Sequence, residues 1–274
     1  MIGLVLMIVV FVGIVSLGFT ALSYYHETQR IEQMRFVGER MGFSYWPTAD
    51  HDLQERLGPF HLFSQGHSRK IQNVMRREIH DIAVTLFEYR YRTNSGKHTR
   101  THHQTVLLFE TQRLQLPLFT LRPEGMFHRI AKKFGYQDIS FGDHPVFSEH
   151  YLLRGPQEAQ IRELFTEEVL NYYSRHDDLC TEGDGQRLVL YRRGQMVEPG
   201  WLEGFLEQGL DVLDLFMKRE GVLGAVPFLD LDLGGARPGA AQPVVVDRPV
   251  AVVEPGPDGT VDVMLDQLEV EWME

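Results

Sequence analysis

The chain has 274 residues, a formal net charge of −11 and a single cysteine, Cys180. That length holds one large domain or two small ones, and one cysteine excludes an internal disulfide and a cysteine-based zinc ribbon. The acidity is local, because residues 221–274 carry ten Asp or Glu against two Arg and leave −3 for residues 1–220; the body therefore lacks the broad positive field of a nucleic-acid binder, and none is expected as a partner.

Met1 to Leu22, MIGLVLMIVVFVGIVSLGFTAL, carries no charged side chain. As a helix, about 21 such residues span roughly 31 Å, the thickness of a bilayer's hydrocarbon core. Tyr24 and Tyr25 follow where interfacial aromatics belong. A cleaved signal peptide is the competing reading, but the segment lacks a basic leader and a small-residue cleavage site. Residues 1–22 are read as a permanent transmembrane anchor. Arg30, Arg35 and Arg40 lie after it, which directs the body to the cytoplasmic side of an inner or plasma membrane.

Residues 23–42 continue as a juxtamembrane helix, with Ile31, Met34, Val37 and Met41 on one stripe and Gly42 as the stop. Its charged face reads as solvated. From residue 43 to 142 the pattern is mixed α+β. Strands are predicted at FHLF (60–63), IQNVM (71–75), IAVTLFEYRY (82–91), TVLLFET (105–111) and LFTL (118–121). Connections this short require antiparallel neighbours. A helix is predicted from PEG (123–125) through Met126, Ile130 and Phe134, then a bridging strand at 138–141.

A second α+β part, 143–221, opens with HPVFSEHYLLRG (144–155) read as extended. A helix after Pro156 carries Ile161, Leu164 and Phe165, and Thr166 caps another through Tyr173. A hairpin turns at Gly183-Asp184-Gly185, and Pro199 opens a long helix with Leu202, Leu206, Leu210, Leu213 and Met217 as its stripe. The fold class is α+β: antiparallel sheets with segregated helices, one transmembrane helix before them and an acidic disordered tail after. That tail, 222–274, is rich in Pro, Gly, Ala and Val. Within it Val261, Met264, Leu265, Leu268 and Trp272 can share a helical face. It is read either as a linear motif for a protein partner or as a segment folding back on its own sheet.

The candidate surface lies at FEYRYRTNSGKHTRTHHQTVLLFET, residues 87–111. A two-residue loop at Ser95-Gly96 makes paired residue numbers sum to 191, with Val84 opposite Leu107 and Ile82 opposite Phe109. His102 and His103 then point to opposite faces, and His98 stands roughly 13 Å from His102, so no metal site is expected there. Arg90, Arg92, Lys97 and Arg100, with Ser68-Arg69-Lys70 and Arg76-Arg77 nearby, are a candidate contact for anionic lipid headgroups. Solvated charge at a hairpin tip is the plainer reading.

No phosphate loop, nucleophile elbow, dinucleotide fingerprint or HExxH helix is present, and no cofactor is implied. Neighbouring acids are expected to raise the Cys180 pKa and make it a poor nucleophile. GFSYWP from residue 42, LRPEG (121–125), QDISF (137–141) and FSEHYLLRG (147–155) resemble an uncharacterised group of bacterial single-pass membrane proteins with an N-terminal anchor and a soluble α+β domain of unknown function. The likeness covers most of residues 40–215, leaves the acidic tail outside and implies architecture alone. The expected function is a membrane-tethered interaction domain, non-enzymatic. The alternatives are an enzyme with a site between the two α+β parts and a sensor of anionic headgroups.

Overall fold

Strand pairing organises the molecule. In the computed structural model, residues 28–95, 98–124, 137–176 and 178–217 are described, with isolated positions at 7, 11, 13, 17 and 25. Helix α1 takes residues 28–40. Then follow β1 (Ser44–Thr48), α2 (His51–Leu57), α3 (His61–Ser64), β2 (His67–Ile79), β3 (Ile82–Ser95), β4 (His98–Glu110) and β5 (Leu116–Pro123). After these come α4 (Pro145–His150), β6 (Tyr151–Arg154), α5 (Glu158–Leu164), α6 (Glu167–Tyr173), β7 (Leu179–Gly185), β8 (Arg187–Arg192) and α7 (Leu202–Met217), the last led in by a 3-10 turn at Pro199–Trp201.

Among the described residues eight strands form one antiparallel sheet, in the order β1-β2-β3-β4-β8-β7-β5-β6. The α+β class holds. The stretches 43–142 and 143–221 both feed this sheet: β4 pairs with β8, and β5 lies between β7 and β6. Their join is a hydrogen-bonded ladder.

Both faces are covered, which explains why β3 and β4 read as nearly continuous apolar runs rather than alternating ones. The front face packs under α1 and α4–α7, through Val84, Leu86, Leu107, Phe109, Phe119, Leu121, Leu188 and Leu190. The back face packs under α2 and α3, through Phe87, Tyr89, Tyr91, Val106, Leu108, Val189 and Tyr191. Helix α7 buries Leu202, Phe205, Leu206, Val212, Leu213 and Met217, while Leu210 is half-buried. Gly209 lets it close on the sheet, since a Cβ there would stand 2.2 Å from Leu107 Cδ2.

Several expected elements differ. FHLF is not a strand: His61–Ser64 form α3, whose Leu62 amide donates to the Glu182 carboxylate at 3.2 and 3.3 Å. A four-residue apolar run has no usable period, and a partner far along the chain decided it. In HPVFSEH the residues Pro145–His150 are helical and extension begins at Tyr151; Pro at the first helical position is compatible with either state. Residues 138–141 are not a strand but run beside β6 with one backbone bond, Ile139 N to Leu153 O at 2.8 Å. Thr166 occupies the N-cap of α6 without a side-chain hydrogen bond. Helix α2, capped by Asp50 Oδ1 accepting from Leu53 N at 2.8 Å, is an element beyond those expected.

The helix expected from PEG, between 125 and 134, lies outside the described residues, as does the tail. The expected anchor, 1–22, is described at Met7, Phe11, Gly13 and Leu17, which are helical and exposed. Among the described residues no helix is long and apolar enough to cross a membrane.

Candidate functional site

The β3–β4 hairpin pairs Ser95 with His98, so its paired numbers sum to 193 and its connection is residues 96 and 97. The expected register is therefore corrected by two residues. Val84 faces Phe109 and Leu86 faces Leu107. A slip of two keeps every side chain on its face, so apolar matching alone cannot separate the two registers. Contacts near the tip choose between them. Tyr91 stacks on His102 with centroids 4.7 Å apart, Thr93 Oγ1 meets His102 Nε2 at 2.9 Å, and Thr99 Oγ1 donates to Asn94 Oδ1 at 3.1 Å.

This register sorts the predicted cations. Arg90 pairs with Lys70 and His103, and Arg92 with His67 and Thr101; because paired residues share a face, these lie together on the front. Arg100 pairs with Thr93 and so lies on the back, separated from Arg90 and Arg92. Lys97 and the motif Val261, Met264, Leu265, Leu268 and Trp272 lie outside the described residues. Of the neighbouring basic residues only Lys70 joins the front cluster. Arg69 donates to the carbonyls of Ser64, Gln65 and Gly66, Arg76 grips Asp50, and Arg77 donates to Met41 O.

His102 closes a back-face aromatic column, Phe63–Tyr89–Tyr91–His102, with centroid spacings of 4.7, 5.5 and 4.7 Å. Burial lowers its pKa, and the positive charges of Arg193, Arg100 and His103 push the same way. Among the described residues no group of three His, Cys, Asp or Glu is placed to hold a metal ion.

Two buried carboxylates went unnoticed in the sequence. On the front, Glu88 accepts from Arg30 Nε at 2.8 Å and from Asn73 Nδ2 at 2.8 Å. A β-bulge places Asn73 there: the register of β2 slips between Gln72 and Met75, and Asn73 takes a left-handed φ of 51°. Tyr45 OH holds the other end of that amide at 2.7 Å. Arg30 also donates to Val197 O at 2.9 Å and Glu198 Oε2 at 3.2 Å. The face of α1 read as solvated is thus fastened to the sheet through Arg30, whereas Arg35 and Glu39 pair in solvent.

On the back, Glu182 accepts from Arg122 Nη2 at 3.0 Å and Tyr191 OH at 2.9 Å, besides the Leu62 amide. His61 Nδ1 also contacts Arg122 Nη2. Cys180 shares this face, fully buried, with its thiol pushed up to about 12 by burial, which Glu182 reinforces against the nearby arginines. The direction is as expected; burial rather than the neighbouring acids is the main cause. Signals existed in the sequence: Glu88 and Arg122 interrupt apolar strands at positions where both faces are covered, and buried charges need partners.

At the opposite end of β3, a groove of about 560 Å³ is lined by Arg56, Glu78, Asp81, Glu110, Gln186 and Arg187. Its cations are engaged: Arg56 with Glu110 and Asp52, Arg187 with Asp184 at 2.5 Å. Among the described residues the sheet thus presents paired charge at one end and, at the other, Lys70, Arg90 and Arg92 outside any ion pair.

No protein-family model matches this chain, and no curated protein does. A solved structure that aligns with it is the crystal structure of the mycobacterial trehalose monomycolate transport factor A, TtfA, at 14% identity and a TM-score of 0.49, over 72% of this chain and 97% of that one.

Proposed function

We propose that the chain is a membrane-tethered interaction domain, held by residues 1–22 in an inner or plasma membrane with its body on the cytoplasmic side. The single observation behind this reading is the fastening of α1. Arg30 ties that helix to Glu88 in β3 and to Val197 and Glu198 ahead of α7, and a charged hydrogen bond to a buried acceptor is among the stronger polar contacts. A segment that merely linked an anchor to a body needs no such attachment. A segment that fixes the body's orientation does. The uncharged run of Met1–Leu22 and the resemblance to single-pass bacterial proteins support the same reading. The acidic-apolar motif of Val261 to Trp272 supplies the contact to a protein partner.

Fractionation of cells expressing the full chain tests the tether. The protein is expected to stay in the membrane pellet after alkaline carbonate washing, and a C-terminal epitope to be digested only when the cytoplasmic side is opened to protease. Mature protein that starts after Leu22, or that washes off with carbonate, overturns the reading.

A further inference from the structure

We propose that the front face of the sheet at its β2–β4 end, built from Lys70, Arg90 and Arg92, docks on anionic lipid headgroups. The inference rests on the tether reading and names the surface that tether presents.

Three observations converge. First, the side chains of Lys70, Arg90 and Arg92 gather there outside every ion pair among the described residues. Lys70, Arg90 and His103 form one row across β2, β3 and β4, and His67, Arg92 and Thr101 form the next, roughly 7 Å farther along the strands. Among the described residues the side chains of Lys70, Arg90 and Arg92 have no carboxylate or carbonyl partner, whereas Arg56, Arg76, Arg113, Arg122, Arg154, Arg162, Arg187 and Arg192 are all in ion pairs. Glu88, two residues before Arg90 on the same face, is already taken by Arg30 and Asn73.

Second, α1 departs at this end. Gly42 lies against Arg77, which pairs with Val84; Gly38 lies against Met75, which pairs with Leu86; Arg30 reaches Glu88. Moving toward the N-terminus therefore carries the helix along β3 toward Arg90, and the described positions before Arg30 are all exposed. Third, what precedes α1 is the uncharged apolar run of residues 1–22. Cations held beside the point where such a segment enters a bilayer face headgroups at very short range, where their attraction is greatest. Arg100, on the back face, stands outside this surface.

The test uses the full chain in nanodiscs of phosphatidylcholine, with or without phosphatidylglycerol. Thr101→Cys carries a fluorophore beside Arg92, since Cys180 is buried and stays unlabelled, and headgroup-quencher lipid reports contact. Quenching is expected in anionic discs and to fall with salt. R90E/R92E is expected to weaken docking about 25-fold or more, at about fivefold per cation, R90Q/R92Q less in the same direction, and R100E less than about twofold. Equal quenching in neutral discs, or an R100E effect matching R90E/R92E, overturns the docking surface alone. Failure of the chain to insert in the discs overturns both the surface and the tether.

Discussion

Glu88 and Glu182 present the same chemistry on opposite faces of one sheet. Each is a carboxylate on a strand, nearly sealed from water, with an arginine at 2.8 or 3.0 Å. Their arginines differ. Arg122 belongs to β5 and is 4% exposed, so the back-face pair joins two strands and the start of α3 inside the core. Arg30 belongs to α1 and is 21% exposed, so the front-face pair joins the sheet to an element at its rim. The difference teaches that a buried ion pair is a fastening whose consequence depends on what it fastens: one closes the core, the other attaches a lever.

The largest effect is expected at the back face. Removing one partner, by E182A or R122A, leaves a buried charge uncompensated and should cost about 3–5 kcal/mol in urea unfolding, while R122M/E182Q should lose less than either single change. Thiol labelling sharpens the point. Cys180 should be inert in the native protein and become reactive in E182A under conditions where R30A leaves it protected. If both variants expose the thiol equally, the two faces are not energetically separate.

At the front face E88Q or R30A should cost about 2 kcal/mol and act locally. Hydrogen exchange is the deciding measurement. Amides of residues 31–41 should exchange faster while those of β3 and β4 keep their protection. Loss of protection throughout the sheet makes α1 part of the cooperative core instead.

How much of this could be read beforehand follows from the range of the forces involved. The stripe of α7 from Leu202 to Met217 carries its period in the sequence, and β3 and β4 stand out as nearly continuous apolar runs bounded by turn residues, because packing there selects apolar residues at the covered positions. His61–Ser64 and Pro145–His150 do not, because runs of four to six residues fit strand or helix equally until Glu182 or the α4–β6 corner supplies a partner. The candidate surface was half legible. Arg90 and Arg92 stand out as a strand-borne pair of cations, but proximity in sequence groups Arg100 with them while strand parity places it opposite, on the face of Tyr91. Glu88 and Arg122 signal burial by interrupting apolar strands, but the pairings with Arg30 and Glu182 are not legible: each partner lies 58 or 60 residues away, and no local rule reports such a distance.

The smallest expected effect is a pH dependence at the tip of the back face. His102 is 8% exposed, stacked on Tyr91, and its pKa is lowered from 6.5 by burial and then by Arg193, Arg100 and His103. The unfolded chain therefore takes up a proton at a higher pH than the folded one. Stability from this site is present above 6.5 and lost as pH falls toward the folded pKa. Thermal midpoints should decline as pH falls below 6.5, a window above the one set by Asp50, whose carboxylate is held down to about 2 by Arg76 and the Leu53 amide. H102Q should flatten the upper window and spare the lower. R100Q is the finer probe, because it keeps the imidazole and its stack while removing one of the charges that disfavour protonation. If Arg100 serves the back face, R100Q shrinks the slope and leaves lipid docking unchanged; R90Q/R92Q, on the front, does the reverse. A slope that responds to R100Q and to R90Q/R92Q alike dissolves the distinction between the faces at this end of the sheet.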